Sequence, residues 1–282
     1  MSHFDNIAIF EDTVDLCQKN PRLQEQIRAS IEKQQFIAEK DFLPDGSEKK
    51  RFDTPAKILV SKKRTFEAAK TYTACGDKIA VLNFASSTNP GGGVVHGSRA
   101  QEESLCRCST LYFTLNTDEN WNRFYNPHRI NHNPLHNDDI LYSPGITVVK
   151  TDTDSPRRMD ESDWYTVDVI TCAAPNLHER PSNRYNPGDG EEGLSLSDDE
   201  LASLHEKRDS RIFDVAVQHK VDVLILGAFG CGAFRNNPQV VAKVMAKLAK
   251  KYEKSFRQIE FAVFCPPYLE TANYQEFVRA FS

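Results

Sequence analysis

The sequence predicts a three-layer α/β domain on a mixed, largely parallel sheet, preceded by an N-terminal helical extension. Three observations carry this expectation. From about residue 55 onward, short apolar runs alternate with amphipathic segments. Residues 221–226 form a nearly continuous apolar run, as in a strand covered on both faces. Two glycine clusters, 91–93 and 227–232, each lie between an apolar run and an amphipathic segment, where open α/β sheets collect their ligands.

Taken in order, Ile7, Ile9, Phe10, Val14 and Cys17 recur at helical spacing until Asn20-Pro21 breaks the run. A second helix, 21–39, places Leu23, Ile27, Ile31 and Ile37 on one face, and a polar connector at 45–51 follows. Residues 1–50 are therefore expected to pack as an extension on a core of 51–282. In that core the pattern predicts strands at 57–60, 78–85, 146–150, 165–173, 221–226 and 259–265. Helices are expected at 65–73, 100–115, 197–219, 238–252 and 271–281. The stretches 116–145, 151–163 and 178–196 read as irregular; the last carries Arg180-Pro181, Asn186-Pro187-Gly188 and Gly190. Loops of this length commonly serve as lids or binding loops.

Bulk properties narrow the setting. A net charge of −5 argues against a general nucleic-acid-binding surface. The seven cysteines form no paired framework, residues 1–10 lack a signal-segment pattern, and 223–234 is too short and glycine-rich to span a bilayer. A reduced, intracellular, cytoplasmic protein without membrane attachment is expected, acting as a monomer.

The chemistry concentrates at 83–103. Gly91-Gly92-Gly93 lets the backbone approach oxygen acceptors closely, or simply makes a tight turn. Neither the phosphate-loop nor the dinucleotide glycine fingerprint is present. The cluster Gly227-Ala228-Phe229-Gly230-Cys231-Gly232-Ala233-Phe234 precedes a helix, where main-chain donors can wrap a diphosphate. Phe229 and Phe234 could line such a site or belong to the core. Glu102 and Glu103 open the next helix, where acidic residues also complement the helix dipole. Neighbours on a helix point about 100° apart, so these two would divide labour rather than face each other across a bond.

Gly91-Gly92-Gly93, the seven-residue spacer and Gln101-Glu102-Glu103 resemble the signature of poly(ADP-ribose) glycohydrolases, especially the microbial type built on a macrodomain. The helical start, Asn83-Phe84-Ala85, Asn89-Pro90, Ala174-Pro175-Asn176 and the 227–234 loop extend the resemblance over most of the chain. It implies a macrodomain-like fold that releases ADP-ribose by cleaving ribose–ribose O-glycosidic bonds, with no metal or other cofactor. Glu103 would transfer the proton, Glu102 would hold ribose hydroxyls and Gln101 would shape the site. Asn89 would contact the distal ribose. The turn Gly91-Gly92-Gly93-Val94 and the 227–234 loop would cradle the diphosphate, and Phe229, Phe234, Tyr185 and Phe264 are candidates to stack on adenine. The partner is poly(ADP-ribose) or another ADP-ribosylated macromolecule. Removal of single ADP-ribose units and non-catalytic reading of ADP-ribose are the alternatives, but reading alone has no need of the second carboxylate.

Other constellations are weaker. His128, His132 and His136 recur every four residues, yet Pro127 and Pro134 argue against one helix carrying all three to a metal. Cys106-x-Cys108 is too closely spaced for a zinc pair and suits ordinary packing. A Cys231 nucleophile with His96 as its base has no spacing to support it.

Overall fold

The computed structural model describes residues 3–183 and 186–282. The chain opens with helices α1 (His3–Lys19) and α2 (Pro21–Lys33), then strand β1 (Gln35–Ile37). Next come β2 (Lys57–Ser61), α3 (Thr65–Lys70), β3 (Ile79–Phe84), α4 (Gln101–Cys108) and α5 (Leu111–Leu115). α6 (Asp118–Asn120), one π-helical stretch (Trp121–Tyr125) and α7 (Asn126–Asn131) run on from one another. β4 (Ile140–Val148), β5 (Tyr165–Cys172), α8 (Asp198–Gln218), β6 (Val223–Leu226), α9 (Pro238–Lys251), β7 (Gln258–Ala262) and α10 (Ala272–Ala280) complete the series.

The seven strands form one mixed sheet in the order β1-β4-β5-β3-β6-β7-β2. Strands β5, β3, β6, β7 and β2 run parallel, while β4 is antiparallel to β5 and β1 to β4. Alternation along β3 builds the three layers. Ile79 and Val81 pack with Phe10 of α1, Phe66 of α3 and Leu105 of α4. Ala80 and Leu82 face the opposite core, with Phe213 of α8, Met245 of α9 and Phe277 of α10. Each fully buried aliphatic or aromatic side chain of this kind contributes about 1.5–3 kcal/mol.

The caps are local and legible. Ser197 and Glu200 close a reciprocal capping box on α8, Asn237 caps α9 ahead of Pro238, and Thr271 caps α10. Three departures from expectation have tertiary causes. The helix predicted over 21–39 stops at Lys33, because residues 35–37 pair with β4 and Gln34 donates to Ser143 Oγ at 2.7 Å. The helix predicted over 100–115 breaks at Ser109, which is extended and bridges Val148, while Thr110 N–H donates to Thr147 O. The stretch expected to be irregular at 116–145 holds α6, α7 and the start of β4; Pro127 sits in the first turn of α7, where a missing N–H costs nothing. No helix among the described residues is long and apolar enough to cross a membrane.

Candidate active site

Strand β3 delivers the chain to the carboxyl edge of the sheet, and α4 returns beside it. Gln101 locks the two together: its Oε1 accepts from Phe84 N–H at 2.9 Å, and its Nε2 donates to Leu82 O at 2.7 Å and Thr65 Oγ1 at 3.1 Å. The side chain thus continues the ladder on the side where β3 has passed the end of its pairing with β6, and α4 starts in a fixed register.

Glu102 and Glu103 are 2 % and 7 % exposed. Glu102 accepts from Ser86 N–H at 2.7 Å and Asn83 Nδ2 at 3.1 Å. Glu103 Oε1 accepts from Gly93 N–H at 2.8 Å, whereas Oε2 is buried without a protein partner. Although adjacent on the helix, both carboxyls converge on Gly92: a Cβ there would lie 2.5 Å from Glu103 Oε1 and 3.1 Å from Glu102 Oε2. The N–H groups of Gly92 and Val94 close the turn on Asn89 O and Gly91 O. The first glycine cluster therefore spends its donors on the turn itself and on the carboxylates, rather than presenting them to a diphosphate.

Burial raises both acids. Loss of water dominates for Glu102 and pushes it up to about 8, with the Glu103 charge adding to the rise and the Ser86 N–H opposing it. For Glu103 the same burial wins over the Gly93 hydrogen bond and the Arg107 charge. The consequence for stability has a definite sign. Below pH of about 4.5 Glu102 is protonated in both the folded and unfolded chain. Between about 4.5 and about 8 the unfolded chain ionises while the folded one keeps its proton, so this residue's contribution falls as pH rises. Glu102→Gln is expected to remove that slope, and Asn83, whose Oδ1 has no partner, can turn to accept from the new amide. Urea midpoints across this window should shift in favour of the variant as pH rises; a pH-independent difference would contradict the assignment.

The glutamates open into a cavity of about 1110 Å³. Of the residues expected at the site, Gly92, Gly93, Gln101, Glu102, Glu103, Ala228, Phe229, Gly230, Gly232, Ala233 and Phe234 line it. Asn89, Gly91, Val94, Gly227 and Cys231 do not. Asn89 Oδ1 instead accepts from Arg129, Val94 is fully buried, and Gly227 is packed so closely that a Cβ would lie 2.7 Å from Ala262 O. In the second glycine loop, the N–H groups of Phe229 and Cys231 are used internally. Among the described residues, those of Ala228, Gly230, Gly232, Ala233 and Phe234 have no main-chain acceptor, and these five residues all line the cavity. That is a row of donors suited to phosphate oxygens.

Phe234 and Phe264 offer ring surface to the cavity, the latter 37 % exposed with the Arg64 guanidinium 3.8 Å above it. Phe229 is fully buried against Phe84 and His205; Tyr185 lies outside the described residues. The histidine series is dispersed. His128 bonds Phe124 O and Asn137, α7 ends at His132, and His136 contacts Asp189 at 3.1 Å. Cys106 and Cys108 are core residues of α4. Burial raises the Cys231 thiol, which disfavours a nucleophilic thiolate, and His96 is exposed.

Sequence reasoning missed Asp189 and Asn236. The Asp189 carboxylate accepts from Ser87 Oγ, Asn176 Nδ2 and Asn186 Nδ2 at 2.7–3.0 Å, tying 186–189 to the segments that follow β3 and β5; Arg180, Asn176 and Asn186 line the cavity. Its carboxyl is held low despite burial by the His136 and asparagine contacts. The one available signal was its place in a long polar loop, which does not single it out.

A buried acid pair on one side and a row of main-chain donors on the other, set at the carboxyl edge of this sheet, define the class: a macrodomain-like α/β hydrolase. The chain belongs to the microbial-type poly(ADP-ribose) glycohydrolase family. The model described as "Microbial-type PARG, catalytic domain" matches residues 7–151, more than half of the 282 residues. The solved poly(ADP-ribose) glycohydrolase from Thermomonospora curvata is similar, with 28% identity and a TM-score of 0.80 over 98% of this chain and 99% of that one. The same enzyme bound to the inhibitor ADP-HPD aligns equally well, over 97% and 98% of the two chains at 28% identity and TM-score 0.80. The Deinococcus radiodurans enzyme in complex with ADP-ribose aligns over 90% and 96%, with 28% identity and a TM-score of 0.75. No curated protein matches the chain by sequence.

Proposed function

We infer that this poly(ADP-ribose) glycohydrolase works through one proton-transfer residue, Glu103, and releases ADP-ribose by cleaving ribose–ribose O-glycosidic bonds. The observation that carries the reading is the asymmetry of the Glu103 carboxyl, fixed at Oε1 by Gly93 N–H and unpartnered at Oε2. Burial raises the group above the ordinary carboxylate range, toward the protonated form a general acid requires. Its proton passes to the departing ribose oxygen as the C–O bond breaks and the anomeric carbon gains oxocarbenium character. The resulting carboxylate then takes a proton from the water that adds to that carbon, which restores the acid. Glu102, held by Ser86 and Asn83, would orient ribose hydroxyls.

The five open N–H groups of the 228–234 segment would receive the diphosphate, and the Phe264 face, now covered by Arg64, would take the adenine. Seven unpaired cysteines suit a reducing, cytoplasmic setting. The decisive experiment incubates the protein separately with poly(ADP-ribose) and with a protein carrying single ADP-ribose units. Free ADP-ribose is expected from the polymer. Binding without release from either substrate would instead mark a reader.

A further inference from the structure

The second glycine loop is held from behind by a chain of buried polar side chains. Asn236 Nδ2 lies 2.7 Å from Pro175 O, 3.1 Å from Gly230 O and 3.1 Å from Phe234 O. That pattern sets the amide orientation, so its Oδ1 is the acceptor facing His205 Nε2 at 2.8 Å. His205 Nε2 must therefore carry a proton. The other ring nitrogen, Nδ1, lies 3.0 Å from Asp209 Oδ2, one helical turn along α8. Asn236 is 2 % exposed, and His205 and Asp209 are completely buried. The His205 ring also meets the edge of Phe229 at 5.9 Å.

Burying an imidazole, a carboxylate and an amide together is costly, and an apolar filling of the same volume is often no less stable. What an apolar filling would not do is tie down carbonyls. With Gly230 O and Phe234 O drawn inward to Asn236, and Pro175 O held by the same amide, the loop keeps one backbone shape in which its unused N–H groups line the cavity. Gly230 adopts φ +76° in this shape, and a Cβ there would lie 2.8 Å from the Asn236 amide.

We propose that Asn236, His205 and Asp209 are positioning residues that set the N–H groups of the Gly227–Phe234 loop for the diphosphate of the substrate. The proposal rests on reading that loop as the ligand cradle. None of the three lines the cavity, so their effect is exerted through the loop.

The test measures the Kd for ADP-ribose by calorimetry, and KM and kcat on poly(ADP-ribose), with thermal melting as a check on folding. Asn236→Ala is expected to raise Kd and KM about tenfold, the scale of a lost buried hydrogen bond, with kcat near wild type because Glu103 is not on this loop. Asp209→Ala should raise both constants less. Asp209→Asn should restore them, since its amide can donate to His205 Nδ1 while Nε2–H still serves Asn236. A merely structural role would lower kcat through loss of active protein and leave KM alone; that result overturns the proposal. So would a folded Asn236→Ala with unchanged constants. If Asn236→Ala does not fold, Asp209→Ala against Asp209→Asn decides by the same readings. If wild type cleaves polymer but does not bind ADP-ribose, the cradle reading falls and the proposal with it.

Discussion

Glu103→Gln is expected to lower kcat by about a hundred- to ten-thousand-fold, the usual contribution of a positioned acid, while ADP-ribose binding stays close to wild type. Glutamine has the same shape and its carbonyl can accept the Gly93 N–H that now bonds Oε1 at 2.8 Å. The turn, the start of α4 and the cavity wall should therefore persist. What is lost is the proton of the one carboxyl of the pair that has an oxygen free of protein partners. Glu102 already binds Ser86 N–H and Asn83 through its two oxygens, and its position two hydrogen bonds deep in the wall suits orientation rather than transfer. Single-turnover release of ADP-ribose from polymer, with calorimetric Kd in parallel, separates chemistry from binding. Near-normal release by the variant would remove Glu103 from the mechanism.

Gly92→Ala should be the second most damaging change, although it adds one methyl group. Gly92 has φ +56°, a conformation that costs a side-chain-bearing residue about 1–2 kcal/mol. The larger effect is steric. The new Cβ would sit 2.5 Å from Glu103 Oε1, well inside contact distance, and 3.1 Å from Glu102 Oε2. Both carboxyls are anchored to backbone on either side of this residue, so relief requires moving the acids themselves. A displacement of about 1 Å at reacting groups costs on the order of a hundredfold in rate. The expected result is such a loss in kcat/KM together with a lower Tm. Activity close to wild type would mean that the convergence of the two glutamates on Gly92 does not set their placement.

Much of this site is legible before folding, but unevenly. The strand–turn–helix around 79–108 and the loop after β6 follow from period-two and period-3.6 patterns and from glycine, all local signals. The direction of each glycine cluster is not local. Spacing cannot tell that the 91–94 turn aims its N–H groups at Glu103 and at itself while the 228–234 segment leaves five of its own unused. For the same reason Asn89, Gly91, Val94, Gly227 and Cys231 look like cavity residues in sequence yet do not line it. The break at Ser109 and the strand at 35–37 depend on β4, and Asp189 acts on Ser87, 102 residues away. Such partners appear only when the sheet has assembled.

Strand β2 carries a consequence for the order in which the molecule can be made. Its ladder runs from Lys57↔Gln258 to Ser61↔Ala262, and Ser61 donates to Glu260 across a sequence separation of 199 residues. An edge strand with β7 as its one neighbour among the described residues must remain unpaired during synthesis until that neighbour leaves the ribosome. Arg64 and Thr65, just after β2, and Phe264, just after β7, then close one wall of the cavity together. The 91–103 segment that carries the two acids is translated long before that wall can form. A nascent chain thus carries its acids early and can complete its binding pocket only late, through the long-range pairing that slows folding.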